Sequence, residues 1–226
     1  MTPGPTSPPT EPPATPAPAP RPTTPCRVPA GRLALRPWDP DRPGDRAAVL
    51  AIARDPDGRA WNPIAGMPEE PGDGDARAWC ARQADWASAS GVSWAVTPHD
   101  DDTTALGYVS VHLWDEDQRV AQVGYWVVPT ARHRGVATQA LAAAAGWAYG
   151  EHGLHRLELF HAVENDASCS TAERAGFTRE GLLRSSHRFG DGAYHDEHLH
   201  ARLASDPVTA LEIAEGLPYA VRALDG

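Results

Sequence analysis

The chain of 226 residues carries 20 basic and 30 acidic side chains, a formal net charge of −10 at pH 7. Because a strongly acidic surface repels phosphates, this charge argues against nucleic acid and anionic membranes as partners. It suits a cationic amine as a partner, although solubility alone would also explain it. Every basic residue is arginine, so a P-loop lysine and a Schiff-base lysine are excluded.

The N-terminal segment differs from the rest of the chain in composition. Residues 1–30 hold 12 of the 23 prolines and almost nothing large and apolar. Such a segment cannot bury enough surface to offset the entropy of ordering it. We therefore predict a disordered tail over residues 1–30, acting as a linker or as a proline-rich docking ligand. A folded domain over residues 31–204 and a C-terminal extension over residues 205–226 follow.

The elements of the predicted domain change character halfway along the chain. The first half predicts a strand, two helices and three antiparallel strands, over residues 32–38, 44–54, 75–90, 92–96, 105–114 and 120–128. The second half predicts helix, strand, helix, strand and strand, over residues 136–149, 156–160, 167–175, 177–184 and 194–203. This order indicates an α/β fold with a mixed, mostly antiparallel sheet and one strand–helix–strand crossover.

Cysteine spacing and hydropathy give weaker indications of the cellular compartment and of the oligomeric state. Cys26, Cys80 and Cys169 are widely spaced, which indicates neither a disulfide framework nor a thiolate zinc site. No stretch approaches the ~20 apolar residues of a membrane span, and no apolar signal segment is visible. We expect a cytoplasmic protein that binds no membrane and no nucleic acid. Monomer and homodimer both stay open.

The segment from Val123 to Tyr149 predicts a strand, a short basic turn and a helix that starts near Gly135. The start of a helix offers unpaired N–H groups and the positive end of its dipole, which together attract anions. Gly135 and Ala137 leave room for phosphate oxygens, while Arg132 and Arg134 add charge. An ordinary strand–loop–helix with surface arginines would look similar.

A second segment, from Leu157 to Gly176, adds to the interpretation of the first as an anion-binding helix start. A buried strand over Leu157–Phe160 is followed five residues later by Asn165, and then by a helix that Gly176 would end. Ser170 and Glu173 fit a capping box, so helix capping explains the boundaries of this segment. Capping does not explain the combination of both segments.

Together, these motifs resemble the GNAT superfamily of N-acetyltransferases, and the RimJ/RimL-like branch in particular, from about Arg32 to Leu203. The resemblance is carried by Arg132-x-x-Gly135-x-Ala137, Asn165-x-x-Ser168, Ala175-Gly176-Phe177, Glu180-Gly181-x-Leu183-Arg184 and Gly192-x-Tyr194-x-Asp196. It implies a GNAT-like sheet with helices on both faces and a splayed central strand pair. It also implies transfer of acetyl from acetyl-CoA, as cosubstrate, to a primary amine by direct attack. The amine would belong to a protein N-terminus or to a small molecule.

The resemblance also implies which residues hold the cosubstrate. Pantetheine would pair with the backbone of one strand, Asn165 would bond to its arm, and the pyrophosphate would meet the start of the helix. Arg174 would lie near the phosphates, although an exposed arginine with no role in binding would fit this position equally well. The implied set is Val127, Val128, Arg132, His133, Arg134, Gly135, Val136, Ala137, Thr138, Asn165, Ser168 and Arg174.

The catalytic base is the point at which this chain departs from many relatives. Gln122 stands where they often carry Glu, and glutamine cannot take a proton from the amine. Glu116 or Asp115, in the preceding turn, would have to substitute. Ser168 would donate a proton to the leaving thiolate, with Tyr125 or Tyr194 as further polar contributors. The candidate catalytic residues are Ser168, Tyr125 and Glu116.

The run His195-Asp196-Glu197-His198-Leu199-His200 raises the question of a metal. On a strand, Asp196, His198 and His200 share one face, and three such ligands would suffice for zinc. This strand is the last of the family fold, near the substrate. We therefore expect substrate contacts or a solvated face, and no metal site.

Two further hypotheses belong to other functional classes. The glutamine at position 122 also fits a catalytically degenerate GNAT-fold domain that binds acyl-CoA as a sensor or partner module. A protein that binds a different phosphate-containing ligand is the third hypothesis. Acidic residues in the Pro- and Gly-rich loop over residues 55–75 would either attract a cationic amine or face solvent.

Overall fold

The computed structural model describes residues 19–61 and 63–217. Its strands are β1 (Val28–Ala30), β2 (Leu33–Arg36), β3 (Gly91–Pro98), β4 (Gly107–Asp115), β5 (Val120–Val127), β6 (Arg156–Ala162), β7 (Thr178–Arg188) and β8 (Tyr194–Leu203). Its helices are α1 (Pro43–Arg54), α2 (Pro56–Trp61), α3 (Asp73–Ala84), α4 (Val136–His152), α5 (Asp166–Arg174) and α6 (Ala210–Ala214). The expected elements are present, and α2 lies in the segment expected to be a loop.

The strands form one sheet in the order β1-β2-β3-β4-β5-β6-β8-β7. Every neighbouring pair is antiparallel except β5 and β6, which are joined through α4 and run parallel. A parallel pair needs such a crossover because its strands start at the same end of the sheet. The predicted mixed, mostly antiparallel sheet is confirmed.

The parallel pair is short. β5 and β6 are in register only from Val120 opposite Arg156 to Gln122 opposite Glu158. Both strands continue past this point, to Val127 and Ala162, without pairing to each other. The predicted splayed central pair is confirmed, and it leaves a gap in the middle of the sheet.

Two consecutive residues of β5 show that helices cover both faces. The hydroxyl of Tyr125 reaches Ser168 in α5. Trp126 packs instead with Trp79 of α3, at 6.0 Å between ring centroids, and stacks on Tyr108. Successive strand residues point to opposite faces, so α5 and α3 lie on opposite sides of the sheet.

Helix α4 is the central helix of the domain. Its alanine-rich sequence has high helix propensity, and 13 of its 17 residues are buried. Gly135 precedes it and Gly153 follows it, both in the left-handed conformation that glycine adopts without strain. No helix in the described part of the chain is long and apolar enough to cross a membrane.

The folded domain begins earlier than the predicted boundary at residue 30. Val28–Ala30 form edge strand β1, and Ala19 is buried with its N–H donating to the Glu116 carbonyl. Pro29 sits in an edge strand, where a missing N–H donor is tolerated. The expectation of disorder is therefore wrong for residues 19–30, because composition hid a short strand among prolines. Residues 1–18 of the expected tail lie outside the described residues.

The predicted C-terminal extension packs on the domain as far as it is described. Glu212 of α6 and Arg202 of β8 form an ion pair of 2.8 Å in which each side chain is 1% exposed. The Thr209 hydroxyl accepts from the Glu212 N–H, and the Glu212 carboxylate accepts from the Thr209 N–H. Leu217 is also buried. Residues 205–217 are thus part of the domain, and residues 218–226 lie outside the described chain.

Replacing Glu212 by alanine should test this integration. The change leaves the buried Arg202 guanidinium without its carboxylate, so we expect the free energy of unfolding to fall by about 3–5 kcal/mol. Chemical denaturation would measure it. The control Asp100→Ala removes a side chain that is 98% exposed and should cost under about 0.5 kcal/mol. Equal, small effects in both variants would contradict the ion pair.

Candidate active site

The turn between β5 and α4 leads into a helix start that no side chain caps. His133 and Gly135 adopt positive φ angles of 60° and 74°. No side chain caps α4, so its first N–H groups, at Val136, Ala137 and Thr138, have no intrahelical acceptor. A helix start with unpaired N–H groups is suited to bind an anion.

The arginines around this helix start are not arranged as the sequence suggested. Arg132 pairs with Asp55 and, at 3.3 Å, with Asp57, so its charge is directed to the acidic loop. Arg134 is exposed beside the helix start. Arg32, which sequence reasoning missed, donates to the Arg134 carbonyl at 2.6 Å and lies against Gly135. No local signal connects Arg32 with a turn about a hundred residues away.

Val127 lies near the end of β5, on the part of the strand that no longer pairs with β6. The Val128 N–H donates to the Leu106 carbonyl, and its carbonyl accepts from Ala131, both at 2.9 Å. Since backbone groups alternate between the two edges of a strand, those of Val127 point towards the gap. The Val127 carbonyl receives a 3.4 Å bond from Arg132 Nε, which leaves its N–H for a ligand.

Two predicted catalytic residues come together although 43 positions separate them. The Tyr125 hydroxyl lies 2.8 Å from Ser168 Oγ. Asn165 caps α5 by accepting the Ser168 N–H at 3.1 Å through Oδ1, which leaves its amide N–H₂ group for a ligand. Burial raises the pKa of Tyr125, so its hydroxyl stays protonated and is able to donate.

Three other predicted residues lie outside this pair. Glu116 is in the β4–β5 turn, where its carboxylate accepts from the Arg21 N–H at 3.3 Å. That turn precedes Val120, and five strand residues from there to Tyr125 span about 17 Å. Arg174 is exposed at the far end of α5, and Tyr194 is 67% exposed. The structure brings none of them to Ser168.

A cavity of about 370 Å³ opens on the α3 side of β4 and β5. One wall is aromatic, and the described lining contains arginine but no carboxylate. Its lining residues are Pro63, Ile64, Ala65, Trp79, Arg82, Gln83, Tyr108, Ser110, His112, Gly124, Tyr125 and Trp126. Because Gly124 and Tyr125 belong to β5, the cavity meets the sheet where the gap begins.

His112 of β4 is a titratable residue of this cavity that sequence reasoning missed. Its Nδ1 lies 3.1 Å from Ser110 Oγ, which also reaches the Gly124 carbonyl at 3.4 Å. Burial lowers the pKa of His112, so the ring is neutral at pH 7. It lies opposite Gln122 in the β4–β5 register. Period-two alternation along β4 would have placed Ser110 and His112 on one face.

A second group of titratable residues lies beneath α5. His161 of β6, Cys169 of α5, and His198 and His200 of β8 place one side-chain N or S atom each within 4.8 Å of one another. Burial lowers the pKa of His161 and of His200. Asp196, which was expected to share a face with His198 and His200, is not part of this group, and its carboxylate accepts from the Ser185 N–H.

Known proteins share this arrangement of strands and helices. The structure of Mycobacterium smegmatis RimJ in complex with CoA-disulfide superposes with a TM-score of 0.68 at 28% identity, covering 85% of this chain and 93% of that one. A GCN5-related N-acetyltransferase from Brucella melitensis has a TM-score of 0.70 at 22% identity, covering 88% and 87%, and supports the fold alone.

Sequence comparison gives relatives named for ribosomal substrates. The putative ribosomal N-acetyltransferase YdaF of Bacillus subtilis is 33% identical over 95 residues, which are 42% of this chain and 51% of that protein. The ribosomal-protein-serine acetyltransferase of Escherichia coli is 32% identical over 99 residues, 43% and 54%. The chain thus spans about half the length of the curated relatives it matches.

The model of the acetyltransferase (GNAT) domain matches residues 32–178, more than half of the chain. The match includes the β5–β6 gap, the uncapped start of α4 and the Tyr125–Ser168 pair. The chain belongs to the GNAT acetyltransferase family.

Proposed function

We propose that this protein transfers acetyl from acetyl-CoA to a primary amine. The observation that carries the proposal is the gap between β5 and β6, which has an anion-binding helix start at its mouth and the Tyr125–Ser168 pair beside it. The cavity that contains His112 meets the same gap from the opposite face. A thioester placed in the gap would therefore be reached by an amine from one side and by hydroxyl donors from the other.

The cosubstrate is held mainly by backbone groups in this proposal. The pyrophosphate takes the free N–H groups at the start of α4, where the helix dipole favours negative charge. Arg134 and Arg32 add positive charge beside it, while Arg132 holds the acidic loop against the turn. Pantetheine pairs with the Val127 N–H and with the amide of Asn165. That a solved relative is in complex with CoA-disulfide supports a CoA compound as the ligand.

His112 serves as the general base. When Ser110 donates its hydroxyl proton to the Gly124 carbonyl, it accepts from His112 Nδ1–H, and the Nε2 lone pair is then free. The lowered pKa keeps this nitrogen unprotonated at neutral pH, as removal of a proton from an ammonium group requires. Gln122, opposite His112, is not needed as a base.

Ser168 and Tyr125 serve the departing thiolate. As the amine attacks and the C–S bond breaks, the sulfur gains negative charge and needs a proton. Ser168 Oγ donates its proton to the sulfur while it accepts a hydrogen bond from the Tyr125 hydroxyl at 2.8 Å, and solvent returns a proton to Ser168 after CoA leaves. The Val127 N–H is placed to polarise the thioester carbonyl before attack. Direct transfer of this kind forms no covalent enzyme intermediate.

The acceptor is a protein N-terminus or a small-molecule amine, and the cavity narrows the choice. Its described lining offers aromatic rings and Arg82, without a carboxylate to bind a second positive charge. The acidic residues Asp55 and Asp57 are paired with Arg132 and are not directed into the cavity. These features favour an amine on a neutral or acidic body over a polycation. Relatives named for ribosomal proteins support a protein N-terminus.

Thiol release from acetyl-CoA in the presence of an amine panel tests the proposal, with Gly135→Val as the matched variant. A Cβ at Gly135 would be strained at φ 74° and 3.3 Å from the Arg32 guanidinium, in the path of the pyrophosphate. We expect turnover with at least one amine, and at least a tenfold loss of acetyl-CoA affinity in Gly135→Val.

Gly216→Val controls for backbone strain, since Gly216 also has a positive φ, 60°, and open space around it. The variant should retain affinity for acetyl-CoA. If both variants bound acetyl-CoA as the unmodified protein does, the pyrophosphate site would be wrongly placed. If no amine were acetylated while CoA bound tightly, the alternative function would be preferred: a degenerate acyl-CoA-binding sensor. The glutamine at position 122 favours that alternative.

Ser168→Ala should lower kcat by about 10- to 100-fold while changing acetyl-CoA affinity little, because its hydroxyl acts on the leaving thiolate. Steady-state kinetics and calorimetric titration would separate the two quantities. Ser170→Ala, on the same helix, is the control and should leave both unchanged. An equal loss of kcat and affinity in Ser168→Ala would reassign the residue to binding.

His112→Gln should reduce kcat/KM by about 10²-fold and remove the acid limb of its pH profile. In the unmodified protein activity should fall as pH drops through the His112 pKa, which burial sets below its usual value of about 6.5. His99→Gln, on an exposed turn, should keep the acid limb. An unchanged acid limb in His112→Gln would show that another group is the base.

A further inference from the structure

We propose that His161, Cys169, His198 and His200 form a zinc site that fastens α5 to the sheet. The four ligand atoms lie within 4.8 Å of one another and come from three elements, β6, α5 and β8. One cysteine and three histidines match the ligand types and the number that tetrahedral zinc takes. The inference does not depend on the proposed acetyl transfer.

Two of the distances within the cluster match those expected between ligands of a tetrahedral zinc ion. Zinc–nitrogen bonds of about 2.0–2.1 Å and zinc–sulfur bonds of about 2.3 Å place tetrahedral ligands about 3.3 Å (N to N) and about 3.6 Å (N to S) apart. The His161 and His200 Nε2 atoms are 3.2 Å apart. Cys169 Sγ is 3.7 Å from His200 Nε2.

The protonation of His161 is fixed by its neighbour. Its Nδ1 lies 2.7 Å from the Ala162 carbonyl, which can only accept, so Nδ1 carries the proton. In the neutral ring Nε2 then presents a lone pair towards His200. A histidine held by a backbone carbonyl through its other nitrogen is the usual arrangement of a metal ligand.

Neither neutral tautomer of His200 satisfies both its own ring and the ring of His161. If its Nε2 carries the proton and donates to His161, its Nδ1 is a bare acceptor that is buried without a hydrogen-bond partner of ordinary geometry among the described residues. If Nδ1 carries the proton, two lone pairs face each other at 3.2 Å. His198 Nδ1 is also buried without a partner among these residues. A cation between the rings removes these conflicts.

Charge and access also suit zinc. The Cys169 thiol donates to the Glu173 carboxylate at 3.7 Å. Once the ion displaces this proton, the thiolate and the carboxylate together balance its two positive charges. His161 and His200 are buried, while Cys169 and His198 are half-exposed and give the ion a path of entry. Binding releases one proton from the Cys169 thiol to solvent and oxidises nothing.

The site lies next to the residues assigned to the thioester. Cys169 faces His200 over β8, and the preceding residue, Ser168, faces Tyr125 over β5. An ion bound here would therefore fix the rotation and height of α5 over both strands. We assign it a structural role, with Ser168 held in position through the helix.

Metal content of the full chain tests the site. The protein should be purified through a tag free of histidine and desalted, and its zinc measured by mass spectrometry. We expect about one zinc per chain, falling at least fivefold in Cys169→Ala and in His161→Gln. Cys26→Ala, which removes a half-buried thiol outside the cluster, is the matched control and should keep its zinc.

Cobalt substitution of the unmodified protein provides a test that does not rely on the variants folding. Co²⁺ should give the intense visible bands of a tetrahedral site and a sulfur-to-cobalt charge-transfer band in the near ultraviolet. Chelation should lower the Tm of the unmodified protein and of Cys26→Ala, but not of Cys169→Ala. Zinc no higher in the unmodified protein than in a folded Cys169→Ala, or a cobalt spectrum without the sulfur band, would overturn the proposal.

Discussion

The structure depends on the early end of the ladder between β5 and β6. Three residue pairs hold these parallel strands together, and beyond Gln122 and Glu158 they separate. A sheet that loses pairing at its centre exposes backbone N–H and C=O groups, which are costly to leave unpaired away from water. The remaining elements place a helix start at the mouth of this gap and polar side chains along its sides. In the proposed function, the amides of pantetheine pair with the free strand edge.

The two faces of β5 divide the proposed chemistry. Tyr125 points to α5 and meets Ser168, while Gly124 and Trp126 face the cavity that contains His112. Strand alternation alone produces this division, because consecutive residues must point to opposite faces. A thioester in the plane of the sheet then has a base on one side and proton donors on the other. Gly124 also matters, because its missing Cβ leaves space for the His112 ring, whose Cε1 lies 3.3 Å from where that atom would be.

Buried ion pairs hold the periphery of the domain to this centre. Asp45, fully buried, accepts both Arg36 and the Asp39 N–H, and so anchors α1 to β2. Arg202 and Glu212 fasten the C-terminal helix to β8 in the same way. Such pairs are costly to break once buried, since a lone charge would remain. The cluster of three histidines and Cys169 under α5 is a further set of polar side chains in the interior. The proposed zinc would compensate their burial, as the carboxylates compensate the buried arginines.

The sequence by itself determined the elements, the mostly antiparallel sheet and the turn that leads into α4. These follow from local patterns: apolar periodicity, a glycine at a helix start, and two motifs at family spacing. The resemblance then implied the splayed pair and brought Ser168, Asn165 and the start of α4 to one site. The boundary at residue 30 was wrong, because a three-residue strand among prolines has almost no compositional signal.

Only the tertiary structure decided which distant side chains meet. It turned Arg132 towards Asp55, placed Arg32 beside Gly135, and left Glu116 at a turn remote from Ser168. The sequence had grouped His198 and His200 with Asp196. The structure places them instead in a cluster with His161 of β6 and Cys169 of α5. Alternation along one strand predicts only which residues share a face. Which partners approach that face depends on strand order and on how α5 packs across β6 and β8, and neither is encoded in any short stretch of sequence.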